Sequence, residues 1–150
     1  MFNKGLGEGQ RGAALIEAAM VLPLLLLMTF GIWATARAWN VNSTMEHAAR
    51  EAARYGATLD PWDSSSSAAV RTVADGDMSS SSMDTTVVGD CIELLSAGIT
   101  SVCNPLHTNT TNTNQVYVRL TYDNYPLNFL FFSADVDMAA AAGARFEATP

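Results

Sequence analysis

The chain has 150 residues and a formal net charge of −7, enough for one modest soluble domain beside a membrane span. From Leu59 onward eleven acids face three arginines, a net −8. Such a surface repels phosphates, so nucleic acid is not an expected partner.

Residues 1–12 form a short, glycine-rich, polar head with Lys4 and Arg11 against Glu8. It has nothing to pack with and is expected to be disordered. From Ala13 to Ala36 follow 24 residues whose single charge is Glu17. A bilayer core needs roughly 20 apolar residues, so this stretch is long enough to span as a helix. Positive charge before it favours a cytoplasmic N terminus and an extracytoplasmic remainder. An ordinary cleaved signal peptide fits less well, because its apolar core is usually about 7–15 residues. Glu17 is the anomaly, since an acid deep in a bilayer costs on the order of 2.5–3.5 kcal/mol. Near a helix end that cost falls, because the side chain reaches the interface. Pro23 removes one helix hydrogen bond and is expected to bend the span. Trp33 and Trp39 suit a membrane interface, with core packing as the alternative.

Residues 37–57 continue at helical spacing. Val41, Met45, Ala48, Ala52 and Tyr55 make one apolar stripe, read as core for the soluble part. Glu46 and Arg50 are spaced to pair, with Arg54 one turn on. Gly56 is the expected stop, and His47 is expected at the surface. One helix from about Ala13 to about Tyr55 results.

Gly12, then AALI, then Glu17 and a long apolar helix resembles the prepilin-peptidase site of type IV pilin-like proteins. That resemblance implies cleavage between Gly12 and Ala13, with Glu17 as fifth residue of the mature chain. RGAALIEAAMVLPLLLLMTFGIW followed by AAREAARYGA is similar to TadE-like pseudopilins of the tight-adherence system, over roughly Arg11 to Ala57. The resemblance implies a role in pilus assembly for Glu17. It implies as partners a prepilin peptidase, other pilin or pseudopilin subunits, inner-membrane assembly machinery and membrane lipid. It places the chain in the inner membrane with one pass, its C-terminal part periplasmic or carried to the cell surface in a pilus.

The acidic part, 58–150, opens with two serine runs, Ser64–Ser67 and Ser79–Ser82, read as flexible connectors. Between them Ala69, Val70, Val73 and Ala74 fit a short helix, capped by Ser66 or Ser67 and stopped by Gly76. Thr85 to Val88 reads as a strand ended by Gly89 and Asp90. Cys91 and Cys103 enclose eleven residues. In an exported domain one disulfide is expected, against the alternative of two buried thiols. Asn109 begins a glycosylation sequon that means little in a bacterium. Val116 to Asp123 alternates as a strand, with Val116, Val118, Leu120 and Tyr122 on one side and Pro126 as its end. Leu127 to Phe132, with three phenylalanines and two leucines, is read as core, with an exposed docking patch as the alternative. In the tail, four alanines favour a helix. The alternation of Val136, Met138, Ala140, Ala142, Ala144 and Phe146 fits a strand, which is the reading adopted and the one the resemblance implies.

The fold class expected is α+β: a long N-terminal helix, transmembrane then amphipathic, with a small antiparallel sheet packed on its outer half. His47 and His107 join no nucleophile or metal set, and neither a phosphate-binding glycine loop nor a cofactor motif occurs. The expected function is therefore non-enzymatic and free of metal and cofactor. The leading reading is a processed TadE-like minor pilin, and the alternative is an uncleaved, signal-anchored periplasmic binding module.

Overall fold

The computed structural model describes residues 8–59, 65–95, 101–103, 115–129 and 132–145. The predicted strand end at Phe146, the loop around His107 and Asn109, and residues 1–7 lie outside them.

Helix α1 runs unbroken from Glu8 to Gly56. Its end at Gly56 is the expected one; its start is not. Residues 8–12, expected to be disordered, are helical, because each residue added to an existing helix gains a hydrogen bond without a new nucleus. Above Ala34 one face of α1 is covered. Met45, Ala48, Ala49, Ala52 and Ala53 are buried, and Val41 packs beside them. Tyr55, expected on this stripe, is exposed; the buried face runs on through Ala49, Ala52, Ala53 and Gly56, and Tyr55 lies on its flank. Glu46 and Arg50 pair at 2.8 Å on the solvent side, and His47 is exposed as expected.

Helix α2 spans Ser66–Ser80. Gly76 does not stop it, and Ser79 and Ser80 are helix rather than flexible connector. The reason is packing. Ser66, Val70, Ala74 and Met78 are buried at a spacing of four, and ending at Gly76 would leave Met78 out of the core. The hydroxyls of Ser79 and Ser80 bond back to the carbonyls of Gly76 and Asp77 at 2.9 and 2.7 Å. Ser65, not Ser66 or Ser67, holds the N-cap position.

Thr85–Val87 is a 3-10 turn rather than strand, and Asp84 caps it by accepting from the Thr86 N–H. The Thr86 hydroxyl, then its N–H, hold the Asp84 carboxyl below the usual carboxylate range. Its stabilising effect is therefore present at neutral pH and is lost as acid protonates it. Strand β1, Val88–Leu95, begins where a strand was expected to end. Gly89 marks a close approach, since a Cβ there would meet the Thr121 hydroxyl at 2.8 Å.

Strand β2, Gln115–Asn128, pairs antiparallel with β1 and with β3, Ser133–Arg145, in the order β1-β2-β3. The closing strand is thus a strand, not a helix. Pro126 lies inside β2, opposite Asp135 of β3. It is tolerated because β1 pairs with β2 only as far as Tyr122, so beyond that point one side of β2 is a free edge needing no N–H. The register shifts between Tyr122 and Tyr125. There Asn124 takes a positive φ of 58°, and its N–H donates to Asp137 at 2.9 Å.

Val116, Val118 and Leu120 are fully buried, with Met138 and Ala140 beside them. They meet α1 and α2 in one core. Val136, expected on that face, is exposed because it lies past the register shift. Of the cluster Leu127 to Phe132, expected as core, the described apolar members are not core, and Leu130 and Phe131 lie outside the described residues. Leu127 and Phe129 are half-buried outside the core, and Phe132 is 57% exposed. These residues cap the β2–β3 hairpin beyond the reach of α2 and β1. Arg71 ties α2 to β1: it donates to Asp75 at 2.9 and 3.1 Å and to the Val88 carbonyl at 3.2 Å, and it pairs with Asp90.

A Cβ added at Gly76 meets nothing within 4 Å. Gly76→Ala should therefore raise the unfolding free energy by about 0.5–1 kcal/mol. Met78→Ala should lower it by about 2–5 kcal/mol. Chemical denaturation of the full chain in detergent, followed by circular dichroism, reads both. Loss of stability in the glycine variant would mean that the helix stops there.

Candidate processing and assembly segment

Below Gly31, α1 packs against none of the described residues. Residues 12–30 are exposed on every side, and none of its most apolar window is buried against this chain. Leu15 is 71% and Met20 75% exposed. In water such a surface would cost on the order of 25 cal/mol per Å². By length and composition the helix is able to cross a membrane.

Polar groups in that helix divide into two kinds. Thr29 and Thr35 turn their hydroxyls back to the carbonyls of Leu25 and Gly31, at 2.8 and 2.9 Å. This satisfies them without water. Glu17 has no hydrogen-bond or ion-pair partner among the described residues. Its carboxylate projects from the first turns of an otherwise apolar surface.

Gly12, Ala13 and Glu17 follow one another on this helix, with Ala13 and Glu17 one turn apart on one face. A Cβ at Gly12 would meet nothing within 4 Å, so the position is open to an approaching partner. Pro23 lies inside α1, which continues across it. Its ring nitrogen offers no N–H to the carbonyl four residues back. Trp33 and Trp39 are both exposed, so neither takes the core position that was the alternative for them. The Arg37 guanidinium lies 5.8 Å from the Trp33 ring centre.

The cysteines stand apart from this segment, on the face of the sheet turned away from the helices. The Cys91 and Cys103 sulfurs are at disulfide distance, with Cα atoms 5.4 Å apart. Sequence reasoning missed the polar clasp around them. The Glu93 carboxylate accepts from the Ser101 hydroxyl and from the N–H groups of Val102 and Cys103, at 3.0 and 3.3 Å for the latter two. Arg119 donates to the Cys103 carbonyl at 2.8 Å. The signal available was strand alternation, which puts Glu93 on the face of Cys91.

Residues 12–54 match a family model described as TadE-like protein. No curated protein and no solved structure matches the chain. The match begins at Gly12 and takes in both the exposed apolar stretch of α1 and the alanine face on which α2 and the sheet pack.

Replacing both cysteines by serine opens a loop of 12 positions and should lower stability by about 2–4 kcal/mol. Denaturation under oxidising conditions, repeated with reductant, checks this. An unchanged midpoint in both comparisons would mean that the clasp of Glu93 and Arg119 holds the segment without the bond.

Proposed function

We propose that this chain is a minor pilin, or pseudopilin, processed by a prepilin peptidase and needed for assembly of a tight-adherence type IV pilus. The TadE-like match over residues 12–54 supports this reading. The observation that carries the finer reading is the unpartnered Glu17 on a helix whose threonines are satisfied internally.

The chain inserts with its basic head in the cytoplasm, its apolar helix across the inner membrane and its acidic domain outside. The peptidase cuts the bond between Gly12 and Ala13. The cut creates an ammonium on Ala13, one helical turn from Glu17. The carboxylate then neutralises this amine or that of a neighbouring subunit, which offsets its cost in lipid. Lipid supplies no hydrophobic drive between helices, so subunits must hold together by close packing and polar pairs. Ala13, Ala14, Ala18 and Ala19 supply the close approach and Glu17 the pair. The role is structural and calls for no metal or cofactor.

Sequencing the N terminus of membrane-extracted protein tests the first step. A mature chain beginning AALIE is expected, and an intact MFNKG terminus would point instead to an uncleaved anchored module. Glu17→Leu should leave membrane insertion intact and reduce surface pili strongly; normal piliation in that variant would remove Glu17 from assembly. Because nothing packs on Gly12, a bulkier residue there should block cleavage without unfolding the domain.

A further inference from the structure

The β2–β3 hairpin outruns the rest of the sheet. From Tyr125 to Asn128, β2 pairs with β3 alone. This two-stranded extension descends along α1 toward its apolar end. Tyr122 and Tyr125 share a cleft with Arg37, Asn40 and Val41. Tyr125 to Asn128 then flank a second cleft of ≈ 280 Å³ with Trp33, Ala34 and Arg37. The turn closes where the Phe129 N–H donates to the Phe132 carbonyl at 2.8 Å. The rings of Phe129 and Phe132 stack with centres 4.5 Å apart, and the Phe132 side chain faces outward. An exposed aromatic tip thus lies beyond the level of Trp33, where the unpartnered apolar surface of α1 begins.

We propose that this hairpin tip, through Leu127, Phe129 and Phe132, is a second membrane contact that dips into the outer leaflet beside the chain's own span. The inference rests on reading 13–36 as a membrane helix. Lipid is the occupant because the tip continues that helix's apolar surface at the same height. Trp33 and Arg37 are the residue types that gather at a bilayer interface. Charge limits the depth. Asp135 is exposed and pairs with Pro126. At roughly 3.4 Å per strand residue it lies about 10 Å from Phe132 along β3. A tip that enters by that much, with Asp135 left in water, matches the about 5–10 Å depth of interfacial segments.

The test uses the full chain in phosphatidylethanolamine–phosphatidylglycerol vesicles, labelled without reductant at single introduced cysteines with an environment-sensitive fluorophore. The Phe132→Cys probe should emit to the blue of the Asp135→Cys probe. It should be quenched several-fold more by shallow nitroxide lipid and less by aqueous iodide, at every protein-to-lipid ratio. Phe129→Cys repeats the measurement should the first variant misfold. Equal, water-like behaviour at 132 and 135 would overturn the proposal. So would lipid quenching that disappears on dilution, which would reveal a second copy as the occupant. A Met28→Cys probe reports the span itself: lipid-exposed at 28 but aqueous at 132 defeats the tip contact alone, and aqueous at both defeats the membrane reading as well.

Discussion

Close approach of other elements to α1 is what the soluble part depends on. Ala48, Ala49, Ala52 and Ala53 present nothing larger than a methyl group and are at most 1% exposed. Both α2 and the sheet come down on that face, and Met45, Met78 and Leu120 fill the space between. Interiors are packed to near-crystalline density, so such a face admits little change in volume. A leucine at any of the four alanines would push two layers apart at once. Lower down, from Gly12 to Phe30, the same helix is exposed all round. One element therefore meets two environments, and side-chain size and polarity mark the change near Ala34.

Where local pattern and tertiary packing agree, the fold is legible from sequence. The long helix and the alternation of Val116, Val118 and Leu120 follow from periodicity, the stop at Gly56 from glycine's place after a helix end, and the strand in the alanine-rich tail from alternation taken together with the TadE-like resemblance. The misreadings share a cause. Gly76, Gly89 and Pro126 each read locally as punctuation, and each lies inside an element. Met78 draws α2 past Gly76, Thr121 crowds Gly89 within a continuous strand, and the missing third strand excuses Pro126. None of these circumstances is local in sequence. Leu127, Phe129 and Phe132 fall outside the core for a related reason, since composition reports apolarity and not which side of a sheet or which end of a hairpin receives it.

The positions proposed for processing and assembly rest on local sequence. Ala13 and Glu17 are neighbours on the expected helix, so helical geometry alone places them, whereas Gly12 was expected in a disordered head and lies on the helix instead. The clasp of Glu93 and Arg119 on residues 101–103 was not legible, because it joins β1, β2 and an intervening segment. It gives the outer face of the sheet an order of its own, on the side opposite the helices. Arg71 gives the inner side a comparable tie, running from α2 to β1.

Because α1 passes from its bare half to its clad half without a break, no swivel separates the two. The azimuth of the acidic domain about the helix axis is fixed by residue count. Each residue turns the helix by about 100° and lifts it by about 1.5 Å. A single residue inserted between Pro23 and Ala34 would leave both halves intact while turning one against the other by more than a quarter circle. The chain thus behaves as a keyed shaft: the flank on which Glu17 lies fixes the direction in which each flank of the sheet faces.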